Sequence, residues 1–153
     1  MSAAEMKFPD PPPKKPSWLS LAQATFNLQV NRWDTEHCGG GLRWQIFAFN
    51  KGYDYKNSIS NGGLFQLSAR LARYTGNKTY SDWADKTWDW MADSVLMTDK
   101  YAVFDGAQIF NPPNCTEASP IQWTYNVGTM LMGAANMWNH VCPRSSALYR
   151  TGC

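Results

Sequence analysis

Trp33-Asp34-Thr35-Glu36-His37-Cys38-Gly39-Gly40-Gly41-Leu42-Arg43-Trp44-Gln45-Ile46-Phe47, followed shortly by Gly52-Tyr53-Asp54-Tyr55-Lys56-Asn57-Ser58-Ile59-Ser60-Asn61, is the stretch on which the fold turns. Apolar residues recur at helical spacing on both sides of it, so it joins two helices, and it is too long and too aromatic to be a plain connector. Gly39, Gly40 and Gly41 open backbone conformations closed to other residues, so the chain can fold tightly there or approach a ligand closely. Arg43, Trp44, Gln45, Tyr53, Asp54, Tyr55, Lys56, Asn57 and Asn61 set flat apolar faces beside groups that hydrogen-bond. A polyhydroxylated ring asks for that mixture, with a CH face to stack on an aromatic and hydroxyls to meet amides, carboxylates and guanidinium. A structural loop packed by its own aromatics would use the same residues, and composition alone leaves both readings open.

Working outward, residues 2–7 read as the tail of a helix that stops at Pro9, and Pro11, Pro12, Pro13 and Pro16 make a stiff extended connector. Ser17 can cap the next helix, whose stripe is Trp18, Ala22, Phe26 and Val30, running to about Arg32 or Trp33. Beyond the organising loop, Asn57, Ser58 or Ser60 can cap a second helix with Leu64, Leu67, Leu71 and Tyr74 on its inner face, flanked by Ala69 and Ala72. Gly76 ends it. Thr79 with Asp82 restarts a third helix, facing inward through Trp83, Thr87, Trp90 and Met91. A second irregular stretch covers about residues 94–122. A fourth helix starts near Trp123 and is expected to pack through Val127, Leu131, Ala134 and Trp138, with Gly128 and Gly133 admitting a close neighbour.

Loop lengths fix one geometric expectation. Helices joined by a compact turn run antiparallel. The second and third are so joined, and the connections on either side are long, so both long loops should leave the helix layer at the same end. Asp105, from the second, and Gln122-Trp123-Thr124-Tyr125-Asn126 would then face the Gly-rich loop. Residues 26–34 and 83–89 each carry an aromatic helix ending near Trp-Asp before a long loop, a weak sign of repeated helical hairpins that bury their faces only against neighbours.

The totals narrow the function. A formal charge of +2 without a Lys/Arg stripe argues against nucleic acid. No run of about 18 apolar residues is present to span a membrane, and residues 1–8 lack the apolar core of a signal peptide. His37-Cys38 and His140-Val141-Cys142 do not match zinc spacings, so neither metal nor cofactor is expected. Cys38, Cys115, Cys142 and Cys153 allow three pairings, which spacing does not choose between. Asn77-Lys78-Thr79 and Asn114-Cys115-Thr116 are N-glycosylation sequons. Disulfides and sequons together favour a secreted protein.

At Trp33-Asp34, Cys38 to Phe47, Gly52 to Asn61, Ala69-Arg70-Leu71-Ala72-Arg73-Tyr74-Thr75-Gly76, Trp83 to Trp90, Asp105-Gly106-Ala107, Asn114-Cys115-Thr116 and Gln122 to Asn126, the sequence resembles glycoside hydrolase family 76. The likeness is to the fungal cell-wall branch acting on α-1,6-mannan and mannose-containing GPI glycans, and it covers about residues 1–138. It implies an all-α fold, part of an (α/α)6 barrel of antiparallel helical hairpins with long loops on one face. Residues 1–139 would be the partial domain and 140–153 an atypical C-terminal tail.

The resemblance further implies a mannan endo-1,6-α-mannosidase, hydrolysing or transglycosylating with two carboxylates, one protonating the leaving oxygen and the other attacking or stabilising the oxocarbenium-like centre. In the family these are an adjacent Asp-Asp pair lying ahead of the segment similar to residues 1–8, and this sequence has no Asp-Asp. No catalytic residue is therefore assigned, and the isolated chain is expected to be inactive. What remains resembles the sugar-positioning part: Asp105, Lys56, Asn57 and Asn61 as polar contacts, Trp44, Trp123 and Tyr125 as ring platforms, Gln122 and Asn126 as hydroxyl partners, with Arg43 beside them. Core packing for Trp123, a solvated cation for Lys56 and a loop cap for Asp34 are the ordinary alternatives. Fungal relatives commonly carry Cys at Gly63, which leaves Cys38 to pair otherwise or to remain free. The implied setting is secreted, at the cell wall or outer face of the plasma membrane, with a GPI link in the full-length protein. A non-catalytic mannan-binding or partner-complementing module is the competing reading.

Overall fold

The computed structural model describes residues 1–110 and 114–142. Four long helices carry it: α2 (Trp18–Val30), α3 (Ser58–Thr75), α4 (Lys78–Asp93) and α5 (Thr124–Val141), with a one-turn α1 (Ser2–Glu5) and two short strands, β1 (Tyr55–Asn57) and β2 (Gly106–Gln108). Local chemistry sets most boundaries. The Ser17 hydroxyl accepts from the Ser20 N–H at 3.1 Å and opens α2, which ends at Val30, a little earlier than its pattern suggested. Asn57 caps α3, and Gly76 closes it in a left-handed conformation with φ of 71°. Asn77, rather than Thr79, caps α4 by accepting the Thr79 N–H at 2.9 Å, so the third helix begins at once.

The α3 helix is the centre of the layer. Leu64, Leu71 and Ala72 pack with Ala22 and Phe26 of α2 and with Leu42 and Tyr80, while Phe65 and Ala69 pack with Ala84, Met91, Leu96, Val103, Ala107 and Met130. Burial on two flanks, not along one stripe, follows from having a helix on either side. The Phe26 ring meets Tyr80 edge-on at 4.8 Å. Tyr74, assigned inward by periodicity, is half exposed at the α3 C-terminus, where its hydroxyl donates to the Ala4 carbonyl.

The fourth long helix corrects the sequence reading. Asn126, Met130 and Gly133 are its buried residues, whereas Leu131 is 67% exposed, and Val127 and Trp138 also face outward. Its smallest residue decides the rotation: the Phe65 ring occupies the space a Gly133 side chain would fill, and Gly62 of α3 admits Thr129 in the same way. Gly128 has open space beside it and serves no close approach. Gly133→Val is therefore expected to cost about 1–3 kcal/mol through overpacking against Phe65. Gly128→Ala should be neutral or stabilise by up to about 1 kcal/mol through helix propensity. Paired urea midpoints check both.

The two long connections meet through backbone pairing that the sequence reading left irregular. β1 and β2 form an antiparallel ribbon with Tyr55 opposite Gln108, Lys56 opposite Ala107 and Asn57 opposite Gly106. The Ser58 N–H donates to the Asp105 carbonyl at 2.8 Å, and Ile109 N–H to Asp54 at 2.9 Å. A Cys38–Cys115 disulfide joins the same two connections. Both loops thus emerge at the end of the layer where α3 begins, as their lengths required.

Candidate functional site

The site rests on a buried polar support under the Gly-rich loop. The Lys56 side chain is only 1% exposed, and its ammonium donates to the carbonyls of Asp34 (2.9 Å), His37 and Gly40. The Asp34 carboxylate lies 3.4 Å from that ammonium and accepts from Arg43 Nε at 2.9 Å and from the Glu36 N–H at 3.0 Å. Burial pushes the Asp34 carboxyl up, but Lys56, His37 and Arg43 outweigh it and hold it below the usual carboxylate range. Burial lowers the Lys56 ammonium to about 8, with Asp34 opposing. The Arg43 guanidinium stacks on the Tyr53 ring at 4.4 Å. Asp34, Glu36 and His37 could in geometry gather around a metal ion, but Arg43 and Lys56 already neutralise the same carboxylate, which argues against a second cation there.

Asn61 is the second support. Its amide accepts the Leu42 N–H at 2.7 Å and donates to the carbonyls of Leu42 and Asn57, tying the loop to the first turn of α3. Lys56, Asn57, Asn61 and Asn126 are all buried, the last with both amide atoms lacking a hydrogen-bond partner. These four, expected at the sugar, are each enclosed where the loops meet α3 and α5 and lie beneath the surface of this chain. The solvated-cation alternative for Lys56 fails for the same reason. Arg43 lines a separate small recess with Asp34, Glu36 and Tyr53.

Above this support lies an open groove of about 640 Å3, lined by Trp44, Gly52, Asp54, Tyr55, Gln108, Glu117 and Ser119 among others. Trp44 is 49% exposed and lies on Gly52, where any side chain would overlap the indole and where φ of 95° suits glycine. Its ring meets Tyr55 edge-on at 6.4 Å. The Tyr55 hydroxyl donates to Asp105 Oδ2 at 3.0 Å. Burial, followed by that carboxylate, raises the phenol to about 12, so it remains a donor. At the α5 N-terminus, Trp123 and Tyr125 stack at 6.0 Å with both rings about half exposed, which removes core packing as the account of Trp123, and Gln122 is exposed beside them.

Trp44 and Asp105 are thus linked through Tyr55, a residue the sequence reading named only among the loop's aromatic and hydrogen-bonding groups. Glu117 and Ser119 were missed altogether. They reach the groove only because the chain doubles back over β2, with Ala118 bridging to Ala107 and the Ser119 N–H donating to Gly106 at 2.8 Å. Cys38 pairs with Cys115, while Cys153 lies outside the described residues. Asn77 and Asn114 are both exposed.

The model of glycosyl hydrolase family 76 matches residues 1–151. The chain belongs to that family. Over 142 residues it is 58% identical to the mannan endo-1,6-alpha-mannosidase DCW1 of Candida glabrata, covering 91% of this chain and 31% of the relative. Dfg5 from Chaetomium thermophilum, solved in complex with glucosamine, superposes with a TM-score of 0.84 at 48% identity, over 93% of this chain and 35% of that one. The family 76 mannosidase Bt3792 of Bacteroides thetaiotaomicron superposes with a TM-score of 0.65 at 25% identity, over 86% and 35%. The chain therefore spans about a third of the length of these family members. Its helical hairpins are a segment of the family's (α/α)6 barrel.

Proposed function

We propose that this chain forms the sugar-positioning side of a groove for α-1,6-linked mannose, within a domain of the mannan endo-1,6-α-mannosidase type. One observation carries the reading: an exposed indole, Trp44, lines the open groove beside Tyr55, whose hydroxyl in turn holds the Asp105 carboxylate just behind the groove wall. The sugar's CH face would lie on Trp44 and its hydroxyls would meet Asp105, with Trp123, Tyr125 and Gln122 extending the contact toward α5. An adjacent Asp-Asp pair occurs nowhere in the sequence, so these residues bind and orient, and the acid and nucleophile would come from outside them. Mannan or GPI-glycan mannose at the cell wall or outer membrane face is the matching substrate and setting. The outward apolar residues of α5, Leu131, Trp138 and Val141, favour association with a further segment, which keeps the partner-complementing module as the second reading.

Titration of the purified chain with linear α-1,6-mannooligosaccharide, followed by tryptophan fluorescence and product analysis, tests this. Saturable binding without turnover is expected. Trp44→Ala or Asp105→Asn should each weaken binding by roughly tenfold, or about 1–2 kcal/mol, the scale of one stacked ring or one charge-assisted hydrogen bond. Product release abolished by Asp105→Asn would refute the view that the chemistry lies elsewhere. Binding unchanged in both variants would refute the groove.

A further inference from the structure

The two sequons sit in opposite circumstances. Asn77 lies in the turn between α3 and α4, away from the groove, exposed, with no cysteine in its triplet. Asn114 is followed directly by Cys115, so the middle residue of its sequon is half of the Cys38 bond. With that bond made, the triplet is fastened at its middle residue, and the chain just beyond it is also held. The Cys115 N–H donates to the Gln108 carbonyl at 3.0 Å, Cys115 sits at φ of 58°, and Ala118 and Ser119 pair back onto β2. Cys38 precedes Cys115 by 77 residues, so during synthesis it is already available when the second sequon arrives.

We propose that closure of Cys38–Cys115 controls whether Asn114 is glycosylated, whereas Asn77 is glycosylated regardless. The acceptor must enter the transferase as an extended segment, and the closed turn cannot. In glycan transfer, Asn114 Nδ2 forms a bond to the anomeric carbon of a lipid-linked oligosaccharide. That carbon's bond to the lipid diphosphate breaks, the diphosphate leaves, and the amide gives up one proton. In closure, two thiols become one disulfide, and two electrons and two protons pass to a thiol-disulfide oxidant of the secretory compartment. Transfer that occurs first leaves the thiol able to close later. A glycan at Asn114 would stand three residues from Glu117 at the groove rim, so the order of events sets how open the groove is.

The inference rests on the cell-surface reading above, and its test reads glycan mass instead of mannan binding, so the two fail separately. The chain is secreted from a yeast host behind a cleavable leader, and occupancy at each sequon is read by mass spectrometry after enzymatic deglycosylation. Near-complete occupancy at Asn77 and low occupancy at Asn114 are expected. Asn114 occupancy should rise several-fold in Cys38→Ser, which leaves the triplet unchanged, and likewise in wild type grown with a thiol reductant, which requires no substitution. Full occupancy of Asn114 in the wild type, or occupancy unmoved by both treatments while Asn77 is filled, would overturn the proposal. An unfilled Asn77 would overturn it together with the cell-surface reading.

Discussion

Replacing Lys56 with methionine is expected to destabilise the fold by about 3–5 kcal/mol, the scale of removing one partner from a buried charge cluster. The methionine matches the length of the stem but leaves the carbonyls of Asp34, His37 and Gly40 without their shared donor and Asp34 without its innermost cation. The damage should centre on the Gly-rich loop, so urea denaturation would show a lower midpoint, and mannooligosaccharide binding would be lost at denaturant levels the wild type tolerates. A midpoint shift under about 1 kcal/mol would mean that water replaces the ammonium and that the cluster does not hold the loop.

The same cluster gives a pH signature. Lys56 titrates at about 8 in the fold against 10.5 for an ordinary lysine, so between those values the unfolded chain holds more protons. Stability should accordingly rise with pH across that window from this group. Asp34 acts on the acid side: its folded value lies below the ordinary one, so its contribution is complete above that ordinary value and is lost as pH falls through the depressed one. Midpoints measured across pH should show an alkaline rise that Lys56→Met lacks.

Reduction of the disulfide, or Cys38→Ser, is the second large effect. Closing a loop over a sequence separation of 77 restricts the unfolded chain by about 4.5 kcal/mol in the chain-entropy account, and native bonds removed from small domains typically cost about 2–5. The bond also joins the two connections that build the groove. Trp90 donates its indole N–H to the Cys38 carbonyl at 2.9 Å, which gives a local reporter. Reduction should change the tryptophan emission, lower the urea midpoint and weaken sugar binding together. A midpoint that does not move would show that the β1–β2 ribbon alone holds the connections together.

How much of this was legible beforehand depends on the range of the interaction. Helix positions and most caps were readable because they are set within a turn or two of chain: Ser17, Asn57 and Gly76 act on residues at most four positions away. The common end of the two long loops was readable because a short turn at Gly76-Asn77 forces antiparallel neighbours. The rotation of α5 was not, since its pattern offers an apolar face that the described residues leave open, and the Phe65 ring at Gly133 selects the other one.

The roles of the polar residues divide on the same principle. The sequence by itself determined that a loop rich in glycine, aromatics and amides belongs to a family 76 hairpin layer, and that Trp44 and Asp105 belong at one end of it. Only the tertiary structure decided that Lys56 and Asn61 face inward to hold backbone, that Tyr55 links Trp44 to Asp105, and that Glu117 and Ser119 reach the groove. Each of those depends on which side chains turn inward and on partners far along the chain, 16–22 residues back for Lys56, 19 back for Asn61 and 50 ahead for Tyr55, and local sequence carries neither.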